Sequence, residues 1–202
     1  CLCCTNMQRG PLWWAAIHRH HHRASDEPGD AHSPVRSGFL WAYGGWMFAT
    51  LEEPDWGTVR DLRRYPELVW LERFWLLPPL LLAAACWLVG GWSMVCFCFC
   101  LTAVSALHGA SFVNTVGHLI GWRRYETPDR SRNSFLLAMF TFGDGWHNNH
   151  HHYPHSASAG FFWGEIDGSY RLIKLLERCR LVWAVREVPA HKLPADSERG
   201  AV

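Results

Sequence analysis

A long apolar segment separates two more polar ends of the chain. No Asp, Glu, Lys or Arg occurs from Phe74 to Trp122, which is long enough for two membrane spans of about 20 residues each. Gly90-Gly91 interrupts this segment near its middle. The pattern predicts one helix from about Trp75 to Val89 and a second from about Trp92 to Ile120, forming a membrane hairpin. A buried hairpin of a soluble protein is the alternative, but soluble helices rarely continue this far without a charge.

The polar ends contain shorter helical patterns. Gly10-Pro11 begins a predicted helix from Leu12 to Arg23, since proline is favourable in the first helical turn. The segment from Phe39 to Leu51 is apolar and aromatic but too short to span a membrane, so we expect it in the membrane interface. Three further segments are predicted: a charged amphipathic helix from Asp55 to Arg73, an apolar stretch from Phe135 to Phe142, and a helical stripe from Tyr170 to Arg180.

The distribution of charge predicts which side of the membrane both polar ends occupy. A two-span hairpin returns to the side on which it starts, and basic flanks mark the cytoplasmic side. The flanking arginines are Arg60, Arg63, Arg64 and Arg73 before the hairpin, and Arg123, Arg124, Arg130 and Arg132 after it. A net charge of +1 gives no basic field that would indicate nucleic acid as a partner. The eight cysteines match no secreted disulfide framework, so we interpret them as free thiols.

Two histidine clusters with the same spacing carry the candidate chemistry. H-x-x-H-H occurs at His18, His21 and His22, and again at His147, His150 and His151. Positions i, i+3 and i+4 share one face of a helix, so each cluster presents three imidazoles, which are common ligands of iron, copper, nickel and zinc. Six histidines exceed the needs of one four-coordinate zinc ion, and two metal ions fit better. A loose histidine-rich metal-binding surface is the alternative.

In their order and spacing, several motifs resemble the membrane-bound fatty acid desaturases of the stearoyl-CoA (delta-9) type, especially bacterial acyl-CoA and acyl-lipid members. The motifs are Q-x-G-P-L-W-W-A-A from Gln8, H-R-H-H-H from His18, D-A-H-S-P from Asp30, R-Y-P-E-L from Arg64, N-T-V-G-H from Asn114, G-D-G-W-H-N-N-H-H-H-Y-P from Gly143 and W-G-E-I-D from Trp163. The resemblance implies an all-α fold: an integral membrane helical protein with a transmembrane hairpin and a cytoplasmic histidine-rich cap. We expect a desaturase domain over residues 1–188 and a polar tail over residues 189–202.

The resemblance also implies roles for individual residues. The implied metal ligands are His18, His21, His22, Asn114, His118, His147, His150 and His151, with Asn114 reaching iron through water. Gln8 and Trp14 match positions near the acyl channel. Asp144 lies three residues before His147 and is expected to accept a hydrogen bond from a ligand imidazole. For His20, His32, His152 and His155 we expect solvent or supporting roles.

The function implied is oxygen-dependent desaturation, at delta-9, of a saturated acyl-CoA or acyl-lipid chain at two iron ions. O2, a cytochrome b5 or ferredoxin type electron donor and the lipid bilayer are the implied partners, in the bacterial inner membrane or the endoplasmic reticulum. The family's upstream H-x-x-x-x-H box is not found in these 202 residues. We therefore expect the sequence to be N-terminally truncated, or part of the site to be lost, and the 202 residues alone to be inactive. A related membrane hydroxylase and a non-catalytic remnant are the alternatives.

Overall fold

The computed structural model describes residues 2–49 and 53–193. These residues form helices and loops, with two isolated β-bridges and no strand among them. The chain divides into two compact units, Cys1–Ala31 with Trp46–Ser111 and His32–Gly45 with Phe112–Val202. The α-helices are α1 (Pro11–Arg23), α2 (Pro34–Ser37), α3 (Phe39–Tyr43), α4 (Pro66–Arg73), α5 (Leu77–Met94), α6 (Leu101–Leu119), α7 (Phe135–Phe140), α8 (His147–His152) and α9 (Gly168–Arg178). The predicted all-α fold is confirmed, and the boundary at residue 188 stays a prediction.

The apolar segment is helical on both sides of Gly90-Gly91, as predicted. Between α5 and α6 the chain continues through a π-helical turn, Val95–Cys100. The run from Leu77 to Leu119 is long and apolar enough to cross a membrane, with a mean hydropathy of 2.0, and only 6% of its most apolar window is buried. Gly91 leaves the helical conformation with φ +60° and ψ −153°, which a residue with a Cβ rarely adopts. An antiparallel arrangement of the two arms stays a prediction.

In the first unit, α1 begins against a carboxylate from α4. Oε2 of Glu72 accepts hydrogen bonds from the backbone N–H groups of Leu12 (2.8 Å) and Trp13 (3.0 Å). These groups have no partner within the helix, and a negative charge is favourable at a helix N-terminus. A Cβ on Gly10 would lie 2.2 Å from the same oxygen. Glycine at this position therefore leaves the space that Glu72 occupies.

The middle of α1 is fixed by a second charged contact. Arg19 donates to both carboxylate oxygens of Asp61, at 2.6 and 2.9 Å, and to the carbonyl of Thr58 at 2.7 Å. The hydrogen bonds from Arg19 lower the pKa of Asp61 to about 2. Because both side chains are more than a third exposed, solvent screening limits the pair to less than about 1 kcal/mol. The pair connects α1 to the segment that precedes α4.

One predicted element differs from the structure, and the interface position expected for the stretch from Phe39 to Leu51 stays a prediction. The single helix expected from Asp55 to Arg73 is wrong: two short 3₁₀ turns, Trp56–Val59 and Leu62–Arg64, precede α4. Tyr65 is extended, with φ −94° and ψ +108°. The ring of the following Pro66 clashes with a helical backbone at the residue before it. The apolar stretch from Phe39 forms α3 and a 3₁₀ turn, Gly45–Phe48, and residues 50–52 lie outside the described part. Six cysteines are free thiols, as predicted: Cys4, Cys86, Cys96, Cys98, Cys100 and Cys179.

In the second unit, the loop after α6 turns back onto the end of that helix. Trp122 and Asn133 pair through two backbone hydrogen bonds of 3.0 and 2.7 Å, and the N–H of Arg132 donates to the carbonyl of Gly117 at 2.7 Å. The chain then enters α7, whose N-cap Ser134 accepts from the N–H of Leu137. Asp167 caps α9 in the same way through the N–H of Tyr170. These contacts place α7 directly beside the end of α6.

We expect the Glu72 cap to be measurable as a pairwise coupling. Glu72→Gln should lower the free energy of unfolding by about 1–2 kcal/mol, because it removes the negative charge from the helix terminus. Gly10→Ala should cause a similar loss by displacing the carboxylate, and the double variant should lose little more than either single variant. The measurement is unfolding of the detergent-solubilised protein, with the exposed Glu27→Gln as control. Fully additive losses would contradict the assignment of the cap.

Candidate metal centre

The first histidine cluster consists of His18, His21 and His22 on one face of α1. The Nε2 atoms of His18 and His22 lie 3.0 Å apart. The rings of His18 and His21 are 6.3 Å apart between centroids. His21 is buried, whereas the other two are half-buried. The structure thus brings the three imidazoles together on the face that the i, i+3, i+4 spacing predicts.

A buried aspartate orients one imidazole of this cluster. Nδ1 of His21 lies 3.0 Å from Oδ2 of Asp30, and both side chains are at most 2% exposed. The same oxygen accepts from the N–H of Asp26 at 2.9 Å. A carboxylate on one ring nitrogen fixes the tautomer of a histidine and leaves Nε2 as the ligand atom. Asp30 is the first residue of the D-A-H-S-P motif. Its contact with His21 gives this motif a chemical role that the sequence pattern did not reveal.

The second histidine cluster consists of His118 at the end of α6 and His147, His150 and His151 on α8. Nε2 of His118 lies 3.0 Å from Nε2 of His147. The rings of His118 and His151 are 5.0 Å apart, and those of His147 and His151 are 4.4 Å apart. His118, His147 and His151 each offer one potential ligand atom, and these atoms lie within 4.8 Å of one another. Histidines separated by about 30 positions in the sequence are therefore close in space.

The second cluster has its own buried carboxylate. Oδ2 of Asp129 lies 2.8 Å from Nδ1 of His151, and the two side chains are 4% and 1% exposed. Oδ1 of Asp129 accepts from the N–H of Ser131 at 2.8 Å and from the hydroxyl of Thr127 at 3.0 Å. Both clusters thus combine an aspartate on one Nδ1 with a pair of Nε2 atoms 3.0 Å apart.

The two asparagines between the histidines of α8 hold that helix in place, and sequence reasoning missed them. The first, Asn148, is fully buried and its Oδ1 accepts from the N–H groups of Arg124 (2.9 Å) and Tyr125 (2.8 Å). Its Nδ2 donates to the carbonyl of Tyr125 at 3.0 Å. The side chain thus ties α8 to the loop that follows α6. The available signal was the N-N pair, which lies between the clustered histidines in sequence and on another side of the helix.

Asn149 connects α8 to two further segments. Its Oδ1 accepts from Nδ2 of Asn133 at 2.7 Å, and its Nδ2 donates to Glu165 (2.8 Å) and to the carbonyl of Ala159 (3.0 Å). Glu165 is 6% exposed, pairs with Arg124 and also accepts from the N–H of Phe161. The W-G-E-I-D motif therefore contributes a buried carboxylate that positions the histidine helix from behind.

Close approach of α8 to α6 depends on one glycine. A Cβ on Gly117 would lie 2.9 Å from Cδ2 of His147, closer than carbon atoms pack without displacement. The glycine lets the imidazole of His147 lie flat against the helix that carries His118. This explains the small residue in N-T-V-G-H.

The remaining predicted site residues lie near the clusters or at the surface. Asn114 is half-buried on α6, one turn before His118. Trp14 is 40% exposed, and its ring lies 4.7 Å from that of His18; Gln8 is half-buried. Asp144 is exposed, and the carboxylates that contact the histidines are Asp30 and Asp129. Surrounding protein groups desolvate Asp144 and raise its pKa to about 6, with a smaller contribution from the Asp167 carboxylate.

Two of the extra histidines, His20 and His152, have contacts outside the clusters. Nε2 of His20 lies 3.2 Å from the carbonyl of Gly29. The ring of His152 stacks on Tyr125 with 3.9 Å between centroids. His155 is exposed, while His32 is buried. Their supporting roles stay predictions.

The donor sets fit a transition metal. Imidazole nitrogens bind such ions at about 2.1 Å, so two nitrogens 3.0 Å apart match neighbouring positions on one ion with an angle of about 90°. Each cluster also holds a carboxylate that offsets the positive charge of an ion, and burial strengthens that attraction. The residues present therefore fit bound metal.

The comparisons with known proteins agree with this geometry. The model of the fatty acid desaturase family matches residues 1–159. The chain belongs to the fatty acid desaturase family. The match includes both histidine clusters, Asp30 and Asp129, whereas Glu165 lies just beyond it.

Individual desaturases extend the similarity over most of the chain. It is 36% identical to an sn-2 palmitoyl-lipid 9-desaturase of Nostoc sp. (strain 36), over 91% of this chain and 66% of that protein. It is 35% identical to an acyl-CoA 5-desaturase of Anemone leveillei, over 89% and 57%. An sn-1 stearoyl-lipid 9-desaturase of Synechocystis is 34% identical, over 90% and 58%. The chain spans between half and two thirds of the length of these relatives.

The contact of Asp129 with His151 should control metal affinity. Asp129→Asn keeps the size of the side chain but removes its charge, so His151 loses its fixed tautomer and we expect a 10–100-fold weaker metal affinity. Titration of the metal-free protein with Fe²⁺ or Co²⁺, followed by absorption, measures the change. The matched control is Glu126→Gln, an exposed residue of the same loop. Equal affinities of the wild type and Asp129→Asn would show that this contact has no role in metal binding.

Proposed function

We propose that this protein is an oxygen-dependent fatty acyl desaturase that introduces a cis double bond, at delta-9, into a saturated acyl-CoA or acyl-lipid chain. The observation that carries the proposal is the repeated arrangement in the two clusters: a pair of Nε2 atoms at 3.0 Å and an imidazole with an aspartate on Nδ1. Family membership supports the reaction class, and the names of the relatives support acyl-lipid and acyl-CoA substrates.

Two iron ions are the proposed cofactors, since the family uses iron. The proposed ligands are His18, His21, His22, Asn114, His118, His147, His150 and His151. The proposal that both clusters serve one two-iron centre rests on their matched H-x-x-H-H spacing and on family membership. Within it, Asp30 and Asp129 hold His21 and His151 with Nε2 as the ligand atom, because each occupies the other ring nitrogen.

The substrate explains why the site needs a metal. A methylene C–H bond has no acidic proton and no leaving group, so side-chain acid–base groups alone cannot remove its hydrogens. Bound iron supplies the activation of O2 that this chemistry requires. The overall reaction takes two hydrogens from adjacent methylenes, together with O2, two electrons and two protons, and yields the alkene and two waters. The electrons come from a partner of the cytochrome b5 or ferredoxin type.

The chain's own residues align the substrate and limit access of water. We place the acyl chain along α1, where Trp14 precedes His18 by one helical turn and their rings are 4.7 Å apart. An apolar chain packed on this indole has a methylene next to the imidazole. Gln8, before the start of α1, is the proposed polar contact of the channel. The arginines around the apolar segment support a cytoplasmic position of the site.

Product analysis tests the reaction. The complete gene that encodes this chain is expressed in a host without its own desaturase, and cellular fatty acids are analysed. We expect cis-monounsaturated products, and their loss in His151→Ala and His18→Ala, because each variant removes a proposed ligand. The control is His155→Ala, an exposed histidine outside both clusters, which should retain activity. Hydroxy fatty acids would identify a hydroxylase, and unchanged saturated chains from wild-type protein carrying bound iron would indicate a non-catalytic protein.

Iron content and magnetism test the shared centre independently of activity. We expect about two iron ions per chain and magnetic coupling between them in Mössbauer spectra. Replacement of His22 or His150 by alanine should abolish the coupling, because each removes a ligand from one side of a common centre. Coupling that survives the loss of either cluster would contradict a centre built from both.

A further inference from the structure

One side of α7 is apolar and exposed. The α7 surface consists of Phe135, Leu136, Phe140 and Phe142, which are 52%, 66%, 76% and 70% exposed. The opposite side of the helix is buried, with Leu137 at 7% and Ala138 at 0%. The helix thus has one apolar side that packs against the protein and a second apolar side on the protein surface. Contiguous exposed apolar surfaces of this kind mark contacts with a partner or a membrane.

The α7 surface lacks any charge of its own. Residues 133–143 contain no Asp, Glu, Lys or Arg, although α7 lies in the more polar half of the chain. Arg123 and Arg130, in the loop before α7, are both exposed. An apolar helix side that follows a loop with exposed arginines is typical of segments that lie in the boundary between lipid chains and anionic headgroups.

Backbone contacts join the α7 surface to the end of α6. The Trp122–Asn133 pair and the hydrogen bond from Arg132 to Gly117 hold the start of α7 against that helix end. Leu119 and Ile120, at the end of α6, are 42% and 62% exposed. These backbone contacts therefore hold the start of α7 next to the apolar end of α6.

The burial of side chains changes along α6. None of its first ten residues is buried, whereas five of the eight from Ser111 to His118 are. The exposed first part belongs to the apolar run that can cross a membrane. A surface that adjoins the other end of this helix lies within reach of the membrane interface.

We propose that the α7 surface inserts into the headgroup–acyl boundary of the bilayer that α6 enters, as a second membrane contact of the protein. Anchoring there fixes the height of the second histidine cluster above the lipid chains. Asn133 precedes α7 by two residues and donates to Asn149 of α8 at 2.7 Å, while the backbone of α7 packs on Gly145, where a Cβ would lie 2.0 Å from the N of Ala138. The proposed lipid contact and the histidine helix are thus joined by direct contacts. This inference does not depend on the proposed reaction.

Site-specific photo-crosslinking in native membranes tests the lipid contact. p-Benzoylphenylalanine is incorporated at Leu136 or Phe140, and at His155 as the exposed polar control. After illumination, mass spectrometry of the purified protein should show phospholipid adducts at both α7 positions and none at His155. All three positions are exposed, so the probe fits without repacking of the core.

The other outcomes would overturn the proposal. Adducts with a second protein, or between two copies of this chain, would make the α7 surface a protein docking face. Absence of lipid adducts at both positions would place the surface in water. Equal labelling at His155 would show unspecific access of lipid. Because no outcome involves catalysis or iron, failure here is distinguishable from failure of the proposed desaturase function.

Discussion

A carboxylate bonded to a buried imidazole is the contact on which the rest of the structure depends. Burying a charged carboxylate costs several kcal/mol unless hydrogen bonds replace its water. The loops supply these bonds: the turn after α1 offers the N–H of Asp26 to Asp30, and the loop after α6 offers Ser131 and Thr127 to Asp129. These two loops therefore make the burial of the two aspartates tolerable.

This requirement inverts the usual distribution of side chains. Among the described residues, sixteen buried residues are polar or charged and ten are apolar, while leucines, phenylalanines and tryptophans dominate the exposed large side chains. Apolar burial, the main driving force of folding in water, contributes less here, and satisfied polar networks contribute more. Such a distribution is stable when lipid covers the apolar exterior, because lipid removes that surface from water as a protein core does.

The parts of the fold that could be predicted are those with a strong local signal. The apolar run, its glycine break, the proline at the start of α1 and the matched histidine spacing all appear in short windows of sequence. Asp30 and Asp129 could not be recognised because their roles arise from partners across a loop or far away in the chain. Asp144 was the predicted acceptor by proximity in sequence, yet Asp129, 22 positions from His151, makes the contact. The continuous helix from Asp55 failed because Pro66 outweighed the amphipathic pattern.

The composition of α8 has a thermodynamic consequence. Its six residues, H-N-N-H-H-H, include no apolar side chain, and a helix of this length is not stable by itself. Hydrogen bonds through its asparagines and the contacts of its histidines hold it in place. Metal binding and the ordering of this helix are therefore linked equilibria: an ion bound only by the ordered form adds its binding energy to the local stability. In the metal-free protein, amide hydrogen exchange in α8 would occur through local opening, well below the free energy of global unfolding.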